Sequence, residues 1–226
     1  VRELAEKHYG VIPPNPNIRQ RERPTEPPQL AARRMQYSDP RIGNDYVTRI
    51  YLAPERSPGD QKEAAALRML AQVLGGSSTT SVLARKLQFE NPRAVYTSAW
   101  YSGRALDQTT FGLVIVPVPG TPLEEAEKAL DQAVAEFIEE GVDQEELERI
   151  KMRIRSSQIY SQDDISSIAN RYGAGLTVGL SIEDIEDWPQ ILDEVTEEDI
   201  LAAAQKVFDA RRSVTGFVSN GGEVTQ

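Results

Sequence analysis

The stretch Leu74-Gly75-Gly76-Ser77-Ser78-Thr79-Thr80-Ser81-Val82-Leu83-Ala84-Arg85-Lys86-Leu87 decides how this chain is built. Leu67, Leu70 and Leu74 recur at spacings of three and four, which puts one apolar stripe on a helix over about 60–74. Gly75 and Gly76 are expected to end that helix through their backbone freedom. One of Thr79, Thr80 or Ser81 is expected to cap a second helix, which buries Leu83 and Leu87. The tight reversal between the helices aims the second one at a strand over 93–101.

Upstream, residues 1–9 read as the last turns of a helix, with Leu4 and His8 on one face and Gly10 as its stop. Prolines 13, 14, 16, 24, 27 and 28 alternate with arginines 19, 21 and 23, a composition suited to an extended, solvated connector. Short strands are expected at 35–37 and 45–52. In the second, Tyr46, Thr48, Ile50 and Leu52 share one face, opposite Val47, Arg49 and Tyr51.

Downstream, 93–101 and 109–118 read as paired strands. Phe111, Leu113 and Ile115 alternate with Gly112, Val114 and Val116, so the second strand is central or covered on both sides. Thr121 with Glu124 predicts a capping box for a helix that stops at Gly141. Asp143 with Glu146 predicts another, for a helix with Leu147, Ile150 and Ile154 inward. These two helices are expected to form an antiparallel hairpin. A helix through Ile165, Ile168 and Tyr172 is expected to stop at Gly173 and Gly175, and a short one from Ser181 to stop before Trp188-Pro189. Thr196 with Asp199 caps the last helix, which turns Ile200, Ala203, Ala204 and Val207 inward, and 213–219 is a final strand. Strands, then a block of helices, then a returning strand predict an α+β fold: a mostly antiparallel sheet with helices on one face. The expected division is 1–33 as helix end and connector, 34–220 as the folded domain, and 221–226 as a frayed tail.

The 226 residues suffice for a real core, and the net charge of −10 argues against a nucleic-acid partner. No apolar run approaches the length of a membrane span, and the absence of cysteine excludes disulfides and thiol chemistry. A first residue of valine without a charged-then-apolar leader suggests a processed or excised piece.

Several segments together resemble one family. They are the Leu74–Leu87 run, His8-Tyr9-Gly10-Val11-Ile12-Pro13, Ala99-Trp100-Tyr101-Ser102-Gly103, and Gly141-Val142-Asp143 followed by Glu146-Leu147-Glu148. In order and spacing they resemble the C-terminal half-domain of the bacterial pitrilysin, insulinase and mitochondrial processing peptidase-like zinc metallopeptidases. The resemblance implies a homologous N-terminal half-domain as partner, a proline-rich connector between the halves, and a chamber that holds an unfolded peptide. It also suggests the bacterial periplasm or cell envelope.

Zinc in that family is bound by a His-x-x-Glu-His motif and a distant glutamate. This chain has one histidine, His8, and lacks the motif, so the resemblance implies no catalytic or metal-binding residue here and zinc in the missing N-terminal half. The acidic pairs 124–125, 139–140, 163–164 and 197–198 suit helix starts or solvated faces better than a metal. Serines 77, 78 and 81 have no second histidine or cysteine with which to build a triad. Gly75-Gly76 lacks the Gly-Lys-Ser/Thr ending of a phosphate loop.

Active relatives place an arginine on the second helix and a tyrosine on the next strand, both bonding substrate near the scissile carbonyl. Aligning Ser81-x-Leu83 without gaps puts Gln88 and Val95 at those positions. Gln88 can still donate a hydrogen bond, and Val95 cannot. Arg85 and Tyr96 are the neighbouring alternatives, although Tyr96 points away from Val95's face unless the strand bulges. On the plainer reading Arg85 and Arg93 are solvated and Tyr96 packs. Some relatives divide the labour within a dimer, one chain carrying the zinc motif and its partner subunit the arginine–tyrosine pair. This chain then belongs to the zinc-bearing member, or to a non-catalytic scaffold subunit.

Overall fold

The computed structural model describes residues 1–18, 27 and 29–221. Much of the proline-rich connector and nearly all of the expected frayed tail lie outside the described residues. Five strands form one sheet: β1 (Arg33–Ser38), β2 (Tyr46–Ala53), β3 (Ala94–Tyr101), β4 (Thr109–Pro117) and β5 (Ser213–Ser219). Their order is β1-β5-β2-β4-β3, antiparallel throughout except for the parallel pair β1–β5. The fold is therefore α+β with a mixed, mostly antiparallel sheet.

The helices are α1 (Arg2–His8), α2 (Lys62–Gly75), α3 (Val82–Ala84), α4 (Leu123–Glu140), α5 (Gln144–Ser161), α6 (Ile165–Thr177), α7 (Ile182–Glu194) and α8 (Glu197–Val207). Helix α2 organises the core. It is alanine- and leucine-rich almost all round, and it packs on β3 and against α5, α7 and α8. The helix-covered face of the sheet carries Val47, Tyr51, Phe111, Leu113, Ile115, Ala99 and Tyr101, all buried. Phe208, just after α8, packs edge-on to both Tyr51 and Phe111, with ring centroids 5.2 and 5.5 Å apart.

Local expectations fail where tertiary contacts intervene. Helix α2 does end at Gly75 with Gly76 as its C-cap, but not through unusual backbone angles, for both have negative φ. Ser81 sits at the start of α3, but its hydroxyl donates to the Ser77 carbonyl and does not cap. The expected second helix is one α-turn followed by a π-helical segment, Arg85–Glu90. The Thr121–Glu124 box is absent: Pro122 occupies the N-cap position of α4 without a side-chain bond. Asp143 does cap α5, accepting from the Glu145 and Glu146 amides, while the Glu146 carboxylate accepts from Arg149 and Thr80. Helix α5 packs chiefly on α2 and α7, so the α4–α5 pair is not the expected close hairpin.

Helix α6 runs through Gly173 and Gly175, and α7 runs through Trp188-Pro189. Gly175 is a packing glycine: a Cβ there would meet Ile185 Cδ1 at 2.6 Å. Helix α7 tolerates its proline because its last turns carry Ile191 and Leu192 into the core. The boxes Ser181–Asp184 and Thr196–Asp199 are both complete.

Candidate functional site

Among the described residues, all the helices that pack on the sheet cover one face, and the other face is open. Alternation along β2 puts Tyr46, Thr48, Ile50 and Leu52 on that open face, half-buried or exposed. Val114 and Val116 of β4 and Ser98 and Trp100 of β3 continue it. Strand β4 is thus central but covered on one side only. Trp100 lies across Gly112, where a Cβ would fall 2.1 Å from its indole. The result is an apolar, aromatic-bearing surface without a protein layer over it among the described residues.

Strand β3 is one of the two outer strands and carries a bulge between Ala94 and Tyr96. The extra residue breaks the alternation. Ala94, Thr97 and Ala99 are buried on the helix side, while Val95 is 54% and Tyr96 48% exposed. Val95 and Tyr96 therefore both escape the helix layer. Gln88, on the π-helical segment, donates 2.8 Å from Nε2 to the buried Thr97 hydroxyl, next to Tyr96 in sequence. Arg85 is not part of this group. It is exposed beside a separate hollow of about 200 Å³ lined by Thr79, Thr80, Asp143, Glu146 and Arg149. Its charge there helps to hold the Asp143 carboxyl below its usual range, after the Glu146 and Glu145 amides that bond it.

Zinc does not fit these residues. His8 lies on α1, none of whose residues is buried, and among the described residues no three of His, Asp and Glu converge. The acidic pairs serve structure. Glu124-Glu125 and Glu197-Glu198 lie in first turns, Asp164 caps α6, and Glu140 pairs with Lys86 at 2.9 Å.

A larger cavity, about 680 Å³, was not legible in the sequence. Arg56, Arg68, Arg104 and Arg171 line it with Tyr101 and Trp188. These six come from five separate segments, Tyr101 and Arg104 sharing one, so no local motif marks them. The Arg56 guanidinium lies 3.9 Å from the centre of the Trp188 ring, and burial lowers its pKa to about 10.

A family model described as "Peptidase M16 inactive domain" matches residues 1–154. Among solved structures, the chain is similar to a protease from Helicobacter pylori at 22% identity and a TM-score of 0.83, covering 96% of this chain and 51% of that one. It is similar to the first half of the periplasmic protease PqqL from Escherichia coli at 18% identity and 0.77, covering 97% and 49%. A peptidase M16 inactive domain from Pseudomonas fluorescens follows at 19% and 0.72, covering 96% and 50%. The chain thus spans about half the length of these structures. No curated protein matches it.

Proposed function

The chain belongs to the family of the M16 peptidase inactive domain, and from that premise we propose that it is the non-zinc-binding C-terminal half of a zinc-dependent endopeptidase. In this role it forms one wall of a chamber that holds an extended peptide. The open sheet face carries the reading. Tyr46, Ile50, Leu52, Val114, Val116 and Trp100 give it an apolar surface of the kind that marks an interaction site. The bulge adds Tyr96 at the rim, and among the described residues β3 has no strand neighbour on its far side, which leaves a sheet edge for a peptide to extend.

A homologous N-terminal half-domain would bring the zinc and its ligands, and a second family subunit would bring the arginine and tyrosine that Gln88 and Val95 replace. Helix α1 supports the proposed division at about residue 33: its Leu4 is exposed, as expected of a helix end that packs on something upstream. The structural likeness to the first half of a periplasmic protease supports placement in a bacterial periplasm or cell envelope. A second reading, a non-catalytic partner or scaffold subunit, is favoured by one observation: the Gln88 amide is already engaged by Thr97.

Two measurements test the proposal. The 226-residue chain alone, incubated with zinc and an unfolded peptide, is expected to cleave nothing; chelator-sensitive cleavage would overturn the reading. A photo-crosslinker at Trp100 is expected to capture that peptide, while one at exposed Arg211, in the link before β5, does not. Equal capture at both positions removes the chamber wall and leaves the scaffold reading.

A further inference from the structure

The cavity at the end of β3 gathers positive charge that the fold neutralises only in part, through the Asp184 carboxylate beside Arg56. Its arginines come from four places: Arg56 from the link after β2, Arg68 from α2, Arg104 from the link after β3, and Arg171 from α6. The chain carries 35 acidic and 25 basic residues, so carboxylates are plentiful. Yet among the described residues none of the four arginines forms a salt bridge, whereas Arg49, Lys86, Arg149, Arg155 and Lys206 do. Arg56 donates to two neutral oxygens, the Gln61 side chain and the Asp184 carbonyl, and the Asp184 carboxylate favours its charge without a direct salt bridge. Arg171 Nε is buried and lacks a hydrogen-bond partner, alone among the described side-chain atoms. A buried donor left unpaired is costly, and a small turn of the Arg171 side chain toward an acceptor in the cavity would relieve it. Arg104 opposes its neighbours: it lowers the pKa of Arg68 after desolvation, and that of Arg56 after desolvation and against the Asp184 carboxylate, which raises it.

We propose that this cavity binds the carboxylate side chains of an extended peptide. The guanidinium fork matches a carboxylate in two parallel hydrogen bonds. The net charge of −10 repels a long polyanion such as nucleic acid along its length, and repels less a short acidic segment whose charges sit within the cavity. The lining favours a peptide over a small inorganic anion. Ile168, Ile185, Tyr101 and Trp188 offer apolar wall for intervening side chains. Tyr101, Ser102 and Gly103, where the outer strand β3 ends, form one lip, so a peptide extending the sheet edge leads into the cavity. This inference rests on the peptide-holding role proposed above and gives it a preference for acidic segments.

Trp188 reports on binding. In a Trp100→Phe background it is the remaining tryptophan of two. The probes are a blocked peptide of alternating glutamate and alanine, its glutamine-for-glutamate analogue, and inorganic phosphate. Expected is a saturable change in emission with the glutamate peptide, weakened by added salt and absent with the glutamine analogue. In Arg104→Ala/Arg171→Gln, affinity is expected to fall about tenfold or more. Arg104→Ala alone, at an exposed link position, is expected to show part of that loss with an unchanged circular dichroism spectrum. Equal binding of the two peptides, indifference to the arginine substitutions, or saturation by phosphate without competition from the peptide each overturns the proposal. If both peptides bind equally and Tyr96→Ala weakens both, the chamber wall stands and the acidic preference falls.

Discussion

Gly75 and Ala99 touch backbone to backbone: a Cβ on Gly75 would fall 2.0 Å from the Ala99 nitrogen and 2.6 Å from the Ser98 carbonyl carbon. The end of α2 is pressed directly onto β3. Gly75→Ala is expected to force the helix off the strand and to cost about 2–4 kcal/mol in urea unfolding. Gly43→Ala, at an open position with nothing within 4 Å, is the control and is expected to change stability little.

That contact also shows why the sequence was partly legible. The period-2 pattern located β2 and β4 and the period-3.6 pattern the main helices, because those patterns report burial directly, whereas β1, exposed along its whole length, carries no such pattern. Glycine and proline misled where they answer to partners far along the chain. Gly75 makes room for β3, Gly175 makes room for Ile185, and Pro189 sits inside a helix held by its apolar residues on the core. At the candidate site, the condition under which Tyr96 could share the side of Val95 was readable, but the bulge that meets it was not. The arginine cavity was invisible because its four charges are united only by folding.

Arg49 tests what a buried charge contributes. Its guanidinium donates to Glu127, Asp131 and Thr215, and Glu127 in turn accepts from Arg34 at 2.9 Å, which ties α4 to β1 and β2. Arg49→Met leaves Glu127 buried with only Arg34 and is expected to cost about 3 kcal/mol. Arg49→Met/Glu127→Leu is expected to recover most of that loss, since a packed apolar pair needs no charge partner. Chemical denaturation of the single and double variants reads both.

Asp184 sets part of the acid stability. It is 7% exposed and accepts from the Gly59 amide, the Ser181 amide and the Ser181 hydroxyl, each at 2.8 Å. The Gly59 and Ser181 amides are the main cause that holds its pKa below the usual range, and Arg56 adds to it. A carboxyl with a depressed folded pKa stabilises fully above its unfolded value, about 3.9, and loses that contribution as pH falls through the folded value. Asp184→Asn is expected to cost about 1–2 kcal/mol at neutral pH. The gap from the parent should stay constant above about pH 5 and shrink below pH 4. A gap that widens in acid would show that the carboxylate is not the stabilising form.

Gln88 and Tyr96 separate stability from binding. Gln88→Ala leaves the buried Thr97 hydroxyl without its partner and is expected to cost about 1–2 kcal/mol, with peptide affinity unchanged. Tyr96→Ala removes a half-exposed ring, so stability is expected to stay within about 0.5 kcal/mol. Peptide affinity is expected to fall about threefold to tenfold if the open face holds peptide. Calorimetric titration beside thermal melts distinguishes the two.

The parallel pairing of β1 with β5 has a practical consequence. Arg33 lies opposite Val214 and Ser38 opposite Ser219, so the earliest strand seals the latest one. A fragment cut at Tyr46 would retain nearly the whole core and still present β5 as a bare hydrogen-bonding ribbon, open to recruiting the same strand from another molecule. Aggregation of such a truncation would reflect the missing latch, and any excised form meant for crystallisation or display should begin before Arg33.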